Sequence, residues 1–208
     1  MNNIIHIIDV GIGNVGSLKN SLTNLGYDCC TTQSLDVLVN SSTVIMPGNG
    51  NFGAVAERLK QFKLWEYLKS LPNKEVKFLG ICVGMQLLFQ DSEEVSESGS
   101  KASGLGILSG SVVYLHDETS GPPLPQVGWN AVNFSGENSY LSSDYYFVNS
   151  LGVKDTDNDI VLARSCYGQN FISAVTKKNI YGVQFHPEKS TLAGKAFLEW
   201  FLKRETIK

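Results

Sequence analysis

A cysteine set between two glycines is the first place where this chain could do chemistry. Phe78-Leu79-Gly80-Ile81-Cys82-Val83-Gly84-Met85-Gln86 puts Cys82 at the end of an apolar run and just before a stretch that can open a helix. Glycines on either side permit the sharp turn that lifts a nucleophile to the carboxyl end of a strand. A helix start beside the sulfur favours the thiolate. The N–H of Val83, next in the chain, can donate to an oxyanion. The competing reading, a buried structural cysteine, fits poorly with a glycine two residues away on each side.

A nucleophile of this kind needs a base, and the base needs an orienting group. The chain has three histidines. His6 lies inside an apolar run and reads as structural, and His116 lies in a polar stretch that offers no catalytic motif. His186 follows Tyr181-Gly182-Val183-Gln184-Phe185 and precedes Pro187 and Glu188. Strand periodicity places residues two apart on one side, so Glu188 can lean toward the imidazole. A third segment, Pro47-Gly48-Asn49-Gly50-Asn51-Phe52-Gly53, can present free backbone N–H groups. Taken alone, it is read equally well as a simple turn.

The elements needed to position these groups are legible in the pattern of apolar residues. Residues 4–9, 44–46 and 76–81 are short apolar runs that end at glycine, proline or cysteine, as buried strands do. Between them, helices are expected over residues 17–26 and 54–71, and another through residues 86–90. Strand and helix in alternation predict a largely parallel sheet covered on both faces. The second half reads mostly as strands, at 111–115, 130–134, 145–148, 160–164, 171–176 and 180–185, before a closing helix at 192–203. Residues 91–103, acidic and serine-rich, read as an exposed loop. With 208 residues and neither repeat nor linker, one domain spanning residues 1–208 is expected.

Composition excludes several classes of function. The chain is 42% hydrophobic and 18% charged with a net charge of −3, an ordinary globule with no electrostatic pull toward nucleic acid or an anionic membrane. Its first residues lack a basic segment and a long apolar run, which argues for the cytoplasm. The four cysteines, Cys29, Cys30, Cys82 and Cys166, show no metal or redox spacing. Neither metal nor cofactor is expected, and Cys29, Cys30 and Cys166 read as buried small hydrophobes. Gly11-Ile12-Gly13-Asn14-Val15-Gly16 spells a dinucleotide-binding pattern. The β-rich second half cannot supply the second half of such a fold, so a tight strand-to-helix turn is the better reading.

The three chemistry-bearing segments, in this order, resemble the class I (triad) glutamine amidotransferases. The likeness covers nearly the whole chain, and within the family it is strongest toward the glutaminase subunit of imidazole glycerol phosphate synthase. Ile8-Asp9-Val10-Gly11-Ile12-Gly13-Asn14, Leu124-Pro125-Gln126-Val127-Gly128-Trp129-Asn130 and Tyr145-Tyr146-Phe147-Val148-Asn149-Ser150 carry that closer likeness. The resemblance implies an α/β fold, a three-layer α/β/α sandwich around a mixed, mostly parallel sheet. It implies that Cys82 attacks the side-chain amide of L-glutamine, with His186 and Glu188 completing the triad. Gly48, Asn49, Gly50 and Val83 would hold the oxyanion, and Gln86, Glu94, Asn149, Ser150 and Leu151 the substrate. It also implies a heterodimer with a (β/α)₈ cyclase that consumes the ammonia, and Gln126, Trp129, Asn130 and Tyr146 are candidates for that interface.

Three positions depart from the closer likeness: Asn49 stands where valine is usual, and Gln126 and Asn149 where histidine is usual. They keep open a paralogous glutaminase supplying ammonia for acetamidino-sugar synthesis. A non-catalytic regulatory subunit and a free-standing cysteine hydrolase are the rivals from other classes. An intact triad argues against the first, and Gln86 with the 47–50 segment against the second.

Overall fold

The computed structural model describes residues 4–95, 101–116 and 121–206. The first half is built as the apolar runs demand. Strands β1 (Ile5–Ile8), β2 (Cys29–Thr32), β3 (Thr43–Gly48) and β4 (Lys77–Cys82) are parallel and lie in the order β2-β1-β3-β4. β3 and β4 are buried along their whole length, which explains why they read as continuous apolar runs instead of alternating ones. Helices α1 (Val15–Asn24), α2 (Leu35–Leu38), α3 (Phe52–Gln61), α4 (Trp65–Lys69) and α5 (Val83–Gln86) fill the crossovers.

The second half extends the same sheet with mostly antiparallel strands. These are β5 (Asp91–Val95), β6 (Lys101–Ser103), β7 (Ser111–Tyr114), β8 (Gln126–Phe134), β9 (Ser143–Asn149), β10 (Leu151–Val153), β11 (Val161–Tyr167), β12 (Gln169–Lys177) and β13 (Ile180–Val183). β13 returns to pair parallel with β4, while β12, β10 and β7 continue the path beyond it. β8 and β9 form a ribbon that hangs from the main sheet through β11. The last helix, α6 (Thr191–Lys203), begins just after His186-Pro187-Glu188. The result is the expected mixed sheet flanked by helices.

Four expectations need correction. The helix expected over residues 54–71 is two helices, because Lys63 turns to φ 59 and stops α3 before Leu64 starts a new turn. Residues 91–95 and 101–103 are not an exposed loop; they are β5 and β6, with Ser92 and Ala102 buried. Residues 96–100, also part of that reading, lie outside the described residues. The helix expected through residues 86–90 is instead the short α5, which starts directly after Cys82. All four cysteines are free, but Cys166 is exposed and Cys29 and Cys30 are only half-buried. β2 and α2, short and weakly patterned, had no signal in the sequence.

Two packing features hold the site in place. Phe185 sits in an aromatic cluster with Phe134, Tyr145, Phe147 and Phe197, its ring 4.2 Å from that of Tyr145. This pins the strand just before His186. At the start of β4, buried Lys77 donates to the carbonyls of Leu202 at 2.7 Å and Arg204 at 3.0 Å. Burial lowers its pKa, and the hydrogen bonds answer the cost by capping the C-terminus of α6. Among the described residues, no helix is long and apolar enough to cross a membrane.

Candidate active site

Three loops meet at the carboxyl ends of the parallel strands, and each carries one of the segments singled out above. Cys82 ends β4 with φ 54 and ψ −112, a left-handed backbone rarely adopted by a residue with a side chain. The turn closes only because its neighbours are glycines. A Cβ on Gly84 would lie 2.2 Å from the carbonyl oxygen of Met46, and one on Gly80 would lie 2.3 Å from that of Gly84. Gly48 stands opposite Cys82 in the β3–β4 register, and a Cβ there would lie 2.7 Å from Gly84 N and 2.8 Å from Val83 Cβ. Gly48 and Val83 are thus packed beside the nucleophile. Asn49 and Gly50 follow at the more open end of the strand, where Gly50 takes φ 89.

The dinucleotide-like glycines have a structural task here. Gly11 and Gly13 adopt φ 77 and φ 132, and a Cβ added to Gly13 would lie 3.8 Å from Asn49 N and 3.9 Å from Pro47 O. The turn therefore backs the 47–50 segment.

His186 arrives from the other side of the elbow. Its N–H donates to Tyr146 O at 2.8 Å, and its Nδ1 lies 2.8 Å from Glu188 Oε1. The side chains of His186 and Glu188 are each 2% exposed. Burial by itself would lower the imidazole pKa. Hydrogen bonding to Cys82 and Glu188, together with their negative charges, outweighs burial and pushes His186 up to about 10. Nε2, the nitrogen left over, has no partner at standard hydrogen-bond geometry. The three residues expected to form a triad are therefore brought together, with carboxylate, imidazole and thiol in that order.

Glu94 and Gln86, the expected substrate-holding residues, bond to different neighbours. Glu94 Oε2 accepts the N–H of Phe52 at 2.6 Å, beside Asn51, which caps α3 through Ala54 N. Gln86 is buried, and its Nε2 donates to Leu151 O at 3.2 Å and Gln184 Oε1 at 2.9 Å. Asn149 Nδ2 donates to the same Leu151 carbonyl at 3.0 Å, and Ser150 O accepts the Leu115 N–H at 3.1 Å. The interface candidates divide. Trp129 is 51% exposed and packs edge-on against Tyr146, with the ring centroids 6.0 Å apart. Asn130 is tied within the sheet through Cys166 O at 2.8 Å. Gln126 is 2% exposed, pairs with Asn149 across the ribbon and offers nothing to a surface partner, whereas Val127 beside it is 61% exposed.

Two residues that sequence reasoning missed complete the site. Ser190 Oγ accepts from Tyr146 N at 2.9 Å and donates to His186 O at 2.6 Å, clamping the histidine turn to β9. Gln184 Nε2 lies 3.5 Å from Cys82 Sγ. Period-two spacing from His186 was the signal that could have found it.

Comparison with known proteins agrees with this geometry. The family model described as glutamine amidotransferase class-I matches residues 6–204. The chain belongs to the class I glutamine amidotransferases. The amidotransferase is 38% identical over 207 residues to the imidazole glycerol phosphate synthase subunit HisH 2 of Methanococcus maripaludis, covering 97% of this chain and 100% of that one. It is 35% identical to the HisH subunit of Bacillus subtilis, covering 96% of each chain. The imidazole glycerol phosphate synthase hisHF of Arabidopsis thaliana is also 35% identical, but the match takes up only 34% of that longer protein. A crystal structure of a glutamine amidotransferase superposes with a TM-score of 0.75 at 17% identity, covering 96% of this chain and 97% of that one. The amidotransferase thus shares its fold with proteins whose sequences have diverged widely.

The raised histidine has a consequence for stability. An imidazole whose native pKa lies above its unfolded 6.5 binds its proton more tightly when folded. The stability it contributes is complete below 6.5 and is lost as pH rises toward about 10. Urea titrations across that window are expected to show stability falling with pH, and falling less steeply in Cys82→Ala, which lacks one of the partners that raise the histidine. A variant slope as steep as the wild type's would remove Cys82 from the account.

Proposed function

We propose that this amidotransferase is the glutaminase subunit of an imidazole glycerol phosphate synthase, with Cys82, His186 and Glu188 as its triad. The observation that carries the chemistry is the strained Cys82 at the head of α5, with the His186–Glu188 pair beside it. Cys82 sulfur attacks the glutamine side-chain carbon, and the oxygen takes up negative charge. Backbone N–H groups of Val83 and of the Gly48, Asn49 and Gly50 segment hold that oxyanion. Collapse of the adduct breaks the C–N bond, and His186 gives a proton to the departing nitrogen as ammonia. Water, deprotonated by His186, then cleaves the glutamyl thioester to glutamate and restores the thiol. Gln86, Glu94 and the 149–151 backbone bind the amino-acid end of glutamine.

The relatives' names support the partner. The Arabidopsis protein is named as a whole synthase and matches this chain over only about a third of its length, which fits a glutaminase joined to a second activity. Here that activity belongs to a separate cyclase of (β/α)₈ type, forming a heterodimer in the cytoplasm. Exposed Val127 and Trp129, with Tyr146 behind them, supply an apolar and aromatic docking surface.

The test is glutamate release from glutamine, with and without a histidine-pathway cyclase and its ribonucleotide substrate. Stimulation by at least about tenfold, a loss of roughly 1.4 kcal/mol in barrier, is expected. Activity that ignores the cyclase would leave a glutaminase but move it to another ammonia acceptor, with the acetamidino-sugar synthase first to try.

A further inference from the structure

We propose that Gln184 is a positioning residue for the nucleophile: its side-chain amide, held in one orientation by Gln86, donates an N–H···S hydrogen bond that keeps the Cys82 sulfur anionic and aimed. The proposal rests on the triad assignment above and deepens it.

Gln184 is fully buried. A buried amide is costly unless both of its ends are satisfied, and here each end has one partner. Oε1 accepts from Gln86 Nε2 at 2.9 Å, and Nε2 faces Cys82 Sγ at 3.5 Å. The direction of this chain follows from its far end. A backbone carbonyl can only accept, so Leu151 O forces Gln86 to present Nε2, at 3.2 Å. The second hydrogen on that nitrogen points to Gln184, which must answer with its oxygen. Only the NH₂ of Gln184 then remains for the sulfur. Asn149, donating to the same Leu151 carbonyl, braces the start of the chain.

The sulfur therefore has a donor on one side and an acceptor, Val148 O at 3.8 Å, on another. A neutral thiol would use the acceptor and a thiolate would use the donor. The donor is closer, and hydrogen bonds to a charged acceptor are roughly twice as strong as neutral ones. The titratable neighbours are His186 and, behind it, Glu188; Gln86, Gln184 and Asn149 carry no charge. Gln184 and His186 lie two residues apart on either side of Phe185, whose ring is locked in the aromatic cluster. One strand end thus delivers both the base and the donor to the sulfur.

The experiment is the pH dependence of Cys82 alkylation by iodoacetamide, alongside glutamine turnover, in the full chain and in its complex with the cyclase. Gln184→Met keeps the length of the side chain and removes the donor. Gln184→Glu keeps the oxygen that meets Gln86 and places an acidic group near the sulfur. In Gln184→Met the midpoint of alkylation is expected to rise by about one pH unit, a tenfold loss of thiolate. The rise in Gln184→Glu should be larger. In both, kcat falls by about ten- to a hundredfold while KM stays within about threefold. A purely structural role would lower stability and slow alkylation equally at every pH, leaving the midpoint where it was. An unmoved midpoint in either folded variant overturns the proposal. Glutamine turnover that survives Cys82→Ala would instead overturn the triad assignment, so the two failures are distinguishable.

Discussion

Replacing Cys82 with alanine should abolish glutamate release, and replacing it with glycine should do the same while giving a protein at least as stable as the alanine variant. The first half of this result follows from chemistry: without sulfur no thioester forms. Loss of a covalent nucleophile leaves only binding and oxyanion contacts, so a fall of at least about a thousandfold is expected. The second half reverses the usual order. Glycine ordinarily costs about 0.5–1 kcal/mol relative to alanine in regular structure. At Cys82 the backbone sits at φ 54 and ψ −112, where any Cβ is strained and glycine is not. Relief of about 1–2 kcal/mol should therefore offset the entropy of glycine. Urea unfolding of both variants checks this. An alanine variant clearly more stable than the glycine variant would mean that the elbow stores no strain.

Gly84→Ala should be among the most damaging single methyls at the candidate site. The added carbon would lie 2.2 Å from the carbonyl oxygen of Met46, a backbone atom in the middle of the buried strand β3. No rotamer change can clear it. Either α5 lifts away from β3 or β3 bends, and both moves separate Cys82 from Gly48. Overpacking of this kind costs about 3 kcal/mol. Turnover should fall with it even under conditions where the protein remains folded, because the proposed oxyanion donors sit on the two elements forced apart. Near-normal turnover in a well-folded Gly84→Ala would show that the elbow can relax in a way its packing does not suggest. Gly16, where a Cβ would have only the Asn14 side chain near it, at 3.8 Å, provides the matched control.

The reactive residues were legible because their constraints are local. A sharp turn needs Gly80 and Gly84 in sequence contact with Cys82, and a two-residue step from His186 reaches Glu188. The central strands were legible for a similar reason, since strands buried on both faces must be apolar throughout. What escaped was decided by distant partners. Residues 91–95 are polar and acidic, yet they pair with β6 and β7, and Glu94 turns its carboxylate to the Phe52 N–H. Lys63 carries no helix-stopping signature, yet it closes α3 at positive φ, with the Leu64 N–H turned back to Leu59 O at 2.9 Å and Leu64 buried in the core. Gln184 was hidden inside a motif whose histidine drew the attention; its role exists only because Gln86, almost a hundred residues earlier, is folded against it. Gln126 read as a surface residue because Trp129 nearby is one, but strand alternation sent it inward.

The near-complete burial of the His186 and Glu188 side chains, 2% exposed each, bears on the fate of individual protons. Under the proposed mechanism the imidazole, so enclosed, carries one proton at a time to the departing group. One proton passed from His186 to the leaving nitrogen makes ammonia, and a second would be needed to make ammonium. The product therefore leaves as an uncharged molecule, and no counter-ion has to follow it. An electroneutral cargo can cross an apolar seam between two proteins at little cost, where the charged form would be stopped by the expense of shedding its water.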